Sequence, residues 1–187
     1  MLGKAPSMKT ILLIVPCIAL LFSASALAQT KFVEETQFGK VTVTTSSTLA
    51  PQAGNSYAPG KLMDGDVQTA WVEGAAGDGI GEWVKVSYES PMRISRIFFA
   101  NGYGKTAKSY GENGRIKDAE ISTEAGSFTR TLPDSKGETT IELPASMAGK
   151  KTRWVKLTIK SVYPGTKHKD TAFAEFRPDI EGHNFDQ

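Results

Sequence analysis

Hydrophobic and polar residues alternate in short segments along most of the chain, and Gly, Pro, Asn or Asp residues separate these segments. One such segment places Val155, Leu157 and Ile159 on one face of an extended strand. Trp154 and Lys156 then share the opposite face. Alternation with a period of two is typical of a half-buried β-strand. We therefore expect the three aliphatic residues to lie in a core.

Eight segments have the composition of strands, because they are rich in Val, Ile, Thr and aromatic residues. They are residues 41–45, 83–88, 94–101, 115–123, 127–132, 139–143, 153–162 and 171–177. No segment after residue 28 shows the apolar spacing of an amphipathic helix. The pattern predicts an all-β domain, a sandwich of about eight antiparallel strands in two packed sheets.

The N-terminal residues have the pattern of a secretory signal peptide. Lys4 and Lys9 precede an apolar run at residues 11–22, and small residues occupy positions 26 and 28. We expect cleavage near Ala28/Gln29, which makes the mature protein secreted or periplasmic. An uncleaved anchor is the alternative, but the apolar run is too short to cross a hydrocarbon layer of about 30 Å.

The predicted organisation is a signal peptide at residues 1–28, a polar lead-in at 29–40, a sandwich domain at 41–178 and a polar tail at 179–187. We expect the lead-in and the tail to be loosely held. Two of the 22 basic residues lie in the signal, which leaves 20 basic residues against 20 acidic ones. This balance argues against nucleic acid as a partner, and the mature form has no predicted membrane span.

The residue types that most often carry catalysis are scarce. The only cysteine is Cys17, inside the apolar run, and the only histidines are His168 and His183. The chain has neither the Gly-x-Ser-x-Gly sequence of α/β-hydrolases nor the His-Glu-x-x-His sequence of zinc proteases. Acidic residues are numerous, but no pair stands out as the carboxylates of a glycosidase. We therefore expect binding rather than catalysis.

Residues 64–69 place acidic side chains in a turn-rich segment just before Trp71. Asp64, Asp66 and Thr69 offer the hard oxygen ligands that Ca²⁺ prefers. The spacing is not that of an EF-hand, because Thr69 stands where that loop requires Gly. The alternative is an Asx-turn, in which the Asp side chains accept hydrogen bonds from the backbone without a metal.

A second segment, residues 101–117, interleaves basic side chains with tyrosines and asparagines. Such a set suits a sugar, because aromatic faces pack on its CH groups while amides and cations bind its hydroxyl or acidic groups. The candidate glycan-binding residues here are Tyr103, Lys105, Tyr110, Asn113 and Arg115. We expect the tyrosines to stack on the sugar, and the amide and guanidinium groups to hydrogen-bond it. The alternative is that the glycines and asparagines shape turns and the lysines only solvate the loop.

Three further residues are candidates for the same glycan site. Trp83 alternates onto the face of Lys85, where it is either covered by a loop or available to a ligand. Tyr163 and Lys167 belong to a basic segment that forms either another wall of the pocket or a simple hairpin.

Several motifs occur in order over about residues 41–177. They are Tyr57, Asp64-Gly65-Asp66 with Thr69 and Trp71, Gly79-Ile80-Gly81-Glu82-Trp83, Asn101-Gly102-Tyr103, Tyr110 with Asn113-Gly114-Arg115, and Tyr163-Pro164-Gly165 with Asp170-Thr171 and Glu175. In this order they resemble discoidin-like domains, also called coagulation factor 5/8 type C domains. The resemblance is closer still to the glycan-binding translocation domain attached to bacterial NAD-glycohydrolase toxins.

The resemblance implies a jelly-roll sandwich whose loops bind sugars, commonly with a structural calcium ion. It implies that Asp64, Asp66 and Thr69 bind this ion together with Glu175 as the distant carboxylate. The chain departs from the family pattern just before Glu175, where a small residue and Ser are expected. The NAD-cleaving activity of the toxins belongs to a separate domain, so we expect no NAD cofactor here.

The functional hypothesis is an exported, non-catalytic carbohydrate-binding domain. Its ligand is a glycan or glycoconjugate, and the basic side chains of residues 101–117 also suit an anionic one. The alternative is an interaction module on the same fold that docks onto an envelope or secreted protein.

Overall fold

The computed structural model describes residues 29–181, so the predicted signal peptide and the end of the predicted tail lie outside the described residues. A 3-10 helix spans Pro59–Leu62 and the helix α1 spans Ala107–Glu112. The strands are β1 (Thr30–Thr36), β2 (Gly39–Thr45), β3 (Trp71–Val72), β4 (Trp83–Asn101), β5 (Arg115–Thr123), β6 (Gly126–Thr131), β7 (Glu138–Glu142), β8 (Lys151–Tyr163) and β9 (Ala172–Ile180). The predicted all-β class is confirmed.

The strands form two sheets that share the long strand β4. The first sheet has the order β1-β2-β4-β8-β5-β6, and the second contains β3, β9, β4 and β7. All these strand pairs are antiparallel. The pairing of β4 with β8 shifts between Ser87 and Met92, a stretch that contains Pro91. Proline has no N–H for a ladder hydrogen bond, which fits the irregular pairing at this point. β4 still pairs with β8 at Met92 and Arg93, and from Ile94 onward it pairs with β9 in the second sheet.

The core lies between the two sheets. Val155, Leu157 and Ile159 are fully buried, which confirms the face predicted from their alternation. Phe99 and Phe173 approach them from the second sheet and pack on each other with ring centroids 5.4 Å apart. Burying each such large side chain contributes about 1.5–3 kcal/mol. This packing makes the sandwich a rigid support for its loops.

The two ends of the domain differ from the prediction. Residues 29–40 are not a loosely held lead-in, because β1 pairs with β2 at seven positions. A hairpin turn at Gly39, with φ of 87°, joins the two strands. Most of β1 is exposed on both faces, which is why it shows no apolar alternation. At the other end, β9 extends to Ile180, so the predicted tail begins inside a strand.

The helix α1 is a second difference, because no helix was predicted. None of its residues is buried, so its sequence has no apolar spacing to reveal it. Its start is fixed by a capping box: the Ser109 N–H donates to Thr106 Oγ1, and the Thr106 N–H donates to Ser109 Oγ. No helix within residues 29–181 has the length and apolar character needed to cross a membrane.

Candidate functional site

Three loops meet at one end of the sandwich and enclose a cleft of about 170 Å³, which we call the loop cleft. It combines aromatic and aliphatic groups with amide, imidazole and carboxylate groups. The residues that line it are Leu49, Gln52, Tyr57, Val72, Tyr103, Ser109, Glu112, Asn113, His168 and Asp170. Of the predicted glycan-binding residues, Tyr103 and Asn113 lie in this lining.

The floor of the loop cleft is aromatic and rigid. Tyr57 and Tyr103 pack edge to face, with ring centroids 6.2 Å apart and an angle of 84° between the ring planes. They belong to a small hydrophobic cluster that also contains Val72, with Leu49 packed against it. Tyr103 is 9% exposed, so only a small part of its side chain is accessible from the cleft. Burial raises the pKa of its hydroxyl.

A tight turn closes one side of the loop cleft. Asn55 Oδ1 accepts hydrogen bonds from Tyr103 Oη at 3.2 Å and from Lys105 Nζ at 2.8 Å. The backbone groups of Gln52 and Asn55 bond to each other, with Ala53 at φ of 48° between them. A non-glycine residue at positive φ is strained, and such strain persists only where the surroundings fix the backbone. Because Asn55 belongs to this fixed turn, its hydrogen bond with Lys105 holds the Lys105 side chain at the rim of the cleft.

The opposite side is formed by the end of α1 and the loop that precedes β9. Asn113 Nδ2 donates to the Ser109 carbonyl at 2.8 Å, which fixes the amide at the end of the helix. The Glu112 carbonyl accepts hydrogen bonds from the backbone N–H groups of His168 at 2.8 Å and Lys167 at 3.2 Å. Docking of this loop on α1 brings His168 to the rim. Lys167 is exposed nearby but is not part of the lining.

Arg115 has a position different from the one expected of a sugar ligand. Its side chain is buried, and Nε and Nη2 donate to the two carboxylate oxygens of Asp134 at 2.9 and 2.8 Å. Nη1 donates to the carbonyls of Asn113 at 3.0 Å and Pro164 at 3.2 Å. The hydrogen bonds from Arg115 hold the pKa of the Asp134 carboxyl below its usual value. We therefore assign Arg115 to the scaffold that joins the loops.

Tyr110 belongs to the same cluster. The Arg115 guanidinium lies 5.4 Å from the centroid of the Tyr110 ring, and Tyr110 Oη donates to Asp134 Oδ1 at 3.2 Å. Burial and the neighbouring Asp134 raise the pKa of Tyr110 to about 12. Tyr163 is likewise committed to the scaffold, because its hydroxyl donates to the Leu132 carbonyl at 3.0 Å.

Trp83 is not near the loop cleft. It lies on the outward face of the first sheet, with the Lys156 ammonium 4.8 Å from its ring centroid. Strand alternation correctly placed it beside Lys85, but only the sheet order shows how far this face is from the loops. Of the eight predicted glycan-binding residues, the structure therefore brings Tyr103, Lys105 and Asn113 together at the cleft.

The acidic turn adopts Asx-type geometry. Asp64 Oδ1 accepts a hydrogen bond from the Asp66 N–H at 3.1 Å, and Asp66 Oδ1 accepts one from the Gln68 N–H at 2.9 Å. Thr69 Oγ1 donates to Asp64 Oδ2 at 2.8 Å, and Lys61 Nζ lies 3.2 Å from the same oxygen. Within residues 29–181, no three His, Cys, Asp or Glu side chains form a group that could hold a metal ion.

Glu175 lies close enough to this turn for Asp64 to affect its pKa, and ion binding by Glu175 together with the turn stays a prediction. Glu175 is fully buried, and within the described chain neither of its carboxylate oxygens has a hydrogen-bond partner of good geometry. Arg177 Nε lies 3.0 Å from one of them. Burial raises the pKa of Glu175 to about 7, and nearby Asp64 adds to the effect, although Arg177 opposes it. A buried carboxylate without hydrogen bonds is costly, and the neighbouring Arg177 guanidinium offsets part of that cost.

Sequence reasoning missed a second buried carboxyl, Glu73, under the loops. Its oxygens accept hydrogen bonds from the Ala75 N–H at 2.7 Å and the Thr171 N–H at 3.1 Å. Burial raises the pKa of Glu73 to about 7, and those two backbone groups only partly oppose the shift. Glu73 thus joins the glycine-rich loop to the start of β9. Nothing in its local sequence signals this role, because its partner is 98 residues away.

Comparison with known proteins agrees with this architecture. A family model described as the NAD glycohydrolase translocation F5/8 type C domain matches residues 35–178. An α-(1→3)-arabinofuranosyltransferase of Mycobacterium tuberculosis is 27% identical over 131 residues, which cover 68% of this chain and 9% of that protein. The corresponding protein of Mycolicibacterium smegmatis is 24% identical over 131 residues. The chain therefore spans about a tenth of the length of these curated relatives.

Solved structures show the same fold. Arabinofuranosyltransferase AftD from mycobacteria superposes with a TM-score of 0.61 at 19% identity, covering 82% of this chain and 11% of that one. The family 32 CBM of Clostridium perfringens NanJ, in complex with galactose, gives a TM-score of 0.54 at 17% identity, covering 79% and 98%. Another Clostridium perfringens domain, CpGH89CBM32-5 in complex with GalNAc-β-1,3-galactose, gives 0.54 at 15% identity, covering 74% and 94%.

Proposed function

Because the chain belongs to the NAD glycohydrolase translocation F5/8 type C domain family, we propose that it is an exported, non-catalytic domain that binds a carbohydrate in the loop cleft. The observation that carries this proposal is the rigid aromatic floor of Tyr57 and Tyr103 beneath a polar rim. A sugar ring has an apolar CH surface and hydroxyl edges, and this arrangement can contact both.

The rim supplies both donors and acceptors at short range. Asn113 and Gln52 present amides, His168 an imidazole, and Asp170 a carboxylate. Two of the similar structures are complexes with galactose and with GalNAc-β-1,3-galactose, so these sugars are the first ligands to test. One shallow site binds weakly, because hydroxyl groups lose water before they pair, and we expect a Kd on the order of 0.1–1 mM.

We propose that sugar transfer in the mycobacterial relatives belongs to the remainder of those long proteins, of which this chain matches about a tenth. Glu112 and Asp170 line the cleft. We propose that both carboxylates accept hydrogen bonds from sugar hydroxyl groups and do not act as catalytic groups. Detection of glycosidase or transferase turnover by the purified domain would contradict this part of the proposal.

The direct test is a glycan array probed with a multimeric form of the domain, since multivalency compensates for weak single sites. Wild-type protein should bind at least one galactose-containing or arabinose-containing glycan. The variant His168→Ala should bind with about fivefold lower affinity, because it removes one rim hydrogen bond of about 1 kcal/mol. Lys169→Ala is the matched control, because this neighbouring exposed residue is not part of the cleft lining.

The proposal fails if wild-type protein binds no glycan, or if both variants bind as well as wild type. A stoichiometric protein partner that stays bound in excess free sugar would instead favour the interaction module considered from the sequence.

We also propose that the acidic turn binds a structural Ca²⁺. The ligands Asp64, Asp66, Thr69 and Glu175 are those that the family resemblance implies, and the ion would share the buried Glu175 carboxylate with Arg177, whose Nε lies 3.0 Å from it. The donor atoms are the hard oxygens that calcium prefers, and the unsatisfied oxygens of Glu175 support the fit. Binding requires the ionised carboxylate, so affinity should fall as the pH drops below about 7.

Thermal unfolding tests the ion. At about 100 times the Kd, calcium should stabilise the domain by about 2.7 kcal/mol relative to chelator, and more at pH 8 than at pH 5.5. The variant Glu175→Gln should lose this response while remaining folded. A melting temperature that is identical in calcium and in chelator would contradict calcium binding at this turn.

Export remains a proposal from the sequence, since residues 1–28 lie outside the described residues. The intact mass of the protein recovered from periplasm or medium should correspond to a chain that begins at Gln29. Recovery of the uncleaved chain from the membrane fraction would contradict it.

A further inference from the structure

The outward face of the first sheet carries a patch of lysines and tryptophans that is separate from the loop cleft. The strand register places Lys31 opposite Thr44, Thr44 opposite Lys85, and Lys85 opposite Lys156. These residues form one row across four neighbouring strands. We call this row, together with Trp83 and Trp154 on either side of it, the sheet-face patch.

The two tryptophans border the row on the same face. Each lies two residues from a lysine of the row along its own strand, Trp83 before Lys85 on β4 and Trp154 before Lys156 on β8. Trp154 stands opposite Ser87, four residues from Trp83, so the backbone positions of the two tryptophans are about 13 Å apart along the strand direction. A shallow depression of about 530 Å³ is lined by Gln29, Thr44, Trp83, Lys85, Trp154 and Lys156.

The lysines of the patch lie close to one another and to the tryptophan rings. Lys85 and Lys156 stand directly opposite each other, and like charges in that arrangement destabilise a sheet. Their ammonium groups lie 5.9 Å and 4.8 Å from the ring centroids of Trp154 and Trp83. Among the residues at 29–181, no acidic side chain forms an ion pair with Lys31, Lys85 or Lys156. The row is therefore a set of cations available to an anionic ligand.

We propose that the sheet-face patch is a second binding site, and that it takes an acidic polysaccharide. Carboxylates along such a chain would pair with the lysine row, while the indole rings would contact the CH surfaces of sugar units at either end of it. Two tryptophans on either side of a row of cations, four residues apart in strand register, suit an extended polymer better than a single sugar. This assignment also gives Trp83 a role that the loop cleft cannot give it.

The charge of the whole domain favours a polysaccharide over nucleic acid or an anionic membrane. Beyond the two lysines of the predicted signal, the chain has 20 basic and 20 acidic residues. A nucleic-acid-binding domain generally carries an excess of basic charge over a broad surface. The sheet-face patch is instead a local cluster on a neutral domain, which suits a polymer with moderate charge density.

Retention on beads tests the proposal, with polygalacturonate as the acidic probe and galactan as the neutral one. Wild-type protein should be retained on polygalacturonate, and about 0.5 M salt should release it, because salt screens exposed charges. The double variant Lys85→Gln and Lys156→Gln should bind about tenfold more weakly, since it removes two charge-assisted contacts. The matched control, Lys136→Gln with Lys150→Gln, makes the same change of charge at exposed positions outside the patch.

Two further variants separate this site from the loop cleft and from a loss of folding. His168→Ala should be retained on polygalacturonate like wild type, because His168 is not part of the sheet-face patch. Trp154→Ala should lose about fivefold in binding, with a thermal unfolding curve that confirms a folded domain. The result is thus independent of whether the cleft binds galactose.

Three outcomes would overturn the proposal. In the first, polygalacturonate retains no wild-type protein. In the second, the two double-lysine variants lose binding equally, so that total charge rather than the patch is responsible. In the third, single-stranded DNA or vesicles with about a third phosphatidylserine bind the wild-type protein while polygalacturonate does not.

Discussion

Replacing Arg115 by Lys separates a scaffold role from a ligand role at one of the residues predicted to hydrogen-bond the sugar. Arg115→Lys keeps the positive charge but removes the planar fork that donates to both oxygens of Asp134. It also removes the donors to the carbonyls of Asn113 and Pro164. Hydrogen bonds to charged groups contribute about 1.5–3 kcal/mol each, and Lys can replace some of them.

Arg115→Lys should lower the free energy of unfolding by about 2–3 kcal/mol. This lies toward the lower end of the range for breaking a buried ion pair, because the Asp134 side chain is 37% exposed. For a domain of this size, that loss lowers the melting temperature by about 5–10 °C. Differential scanning calorimetry at pH 7 measures it. Arg130→Lys is the control, because Arg130 is exposed and its replacement should change stability by less than about 0.5 kcal/mol.

The pH dependence gives a second readout. The pKa of Asp134 is lowered in the folded protein, so its contribution is present above its unfolded pKa of about 4 and is lost as the pH falls through the folded value. The difference between wild type and Arg115→Lys should therefore be full at pH 7 and smaller at pH 3. An unchanged melting temperature combined with lost glycan binding would refute the scaffold assignment and restore Arg115 as a sugar ligand.

Two further predictions concern the packing beneath the loop cleft. Gly114→Ala should destabilise the domain by about 1–3 kcal/mol in chemical denaturation, because its Cβ would lie 2.6 Å from Thr171 Oγ1. Gly111→Ala, on the open face of α1, should instead stabilise it by about 0.5–1 kcal/mol, and equal effects of the two changes would contradict the packing. Burial raises the pKa of Glu73 to about 7, so the stability that its protonated form contributes should be lost as the pH rises from about 4.5 through 7 in calcium-free buffer. Glu73→Gln should flatten the pH dependence of stability in melting curves recorded from pH 5 to 8. An unaltered slope of melting temperature against pH would contradict this role of Glu73.

The parts of the fold that the sequence predicted are those in which one face of a strand is fully buried. Val155, Leu157 and Ile159 alternate with polar residues because they face the opposite sheet, and they are all buried. β1 and α1 lie on the surface with few or no buried side chains, so burial imposes no pattern on them. Their positions follow from tertiary pairing and capping, which a search for apolar spacing does not detect.

The candidate site was predicted in its residue types more than in its geometry. Tyr103 and Asn113 do line the loop cleft. The guanidinium of the nearby Arg115 is instead hydrogen-bonded to Asp134, an acid 19 residues further along the chain. His168 joins the cleft because its loop docks on the end of α1. These pairings depend on the fold, and no local spacing encodes them. Asp64 lies close enough to Glu175 to raise its pKa, and the calcium site that the family resemblance implied for them stays a prediction.

Carbohydrate binding in the loop cleft is best tested by titrating isotope-labelled protein with galactose and with arabinose oligosaccharides and following the titration by NMR. A sugar bound there should cause saturable shifts in the backbone signals of residues 52–57, 103–113 and 168–170, and should leave the signals of the core strands unchanged. Shifts spread over the whole sandwich, or no shifts with any sugar at concentrations above about 10 mM, would contradict a carbohydrate site in the loop cleft.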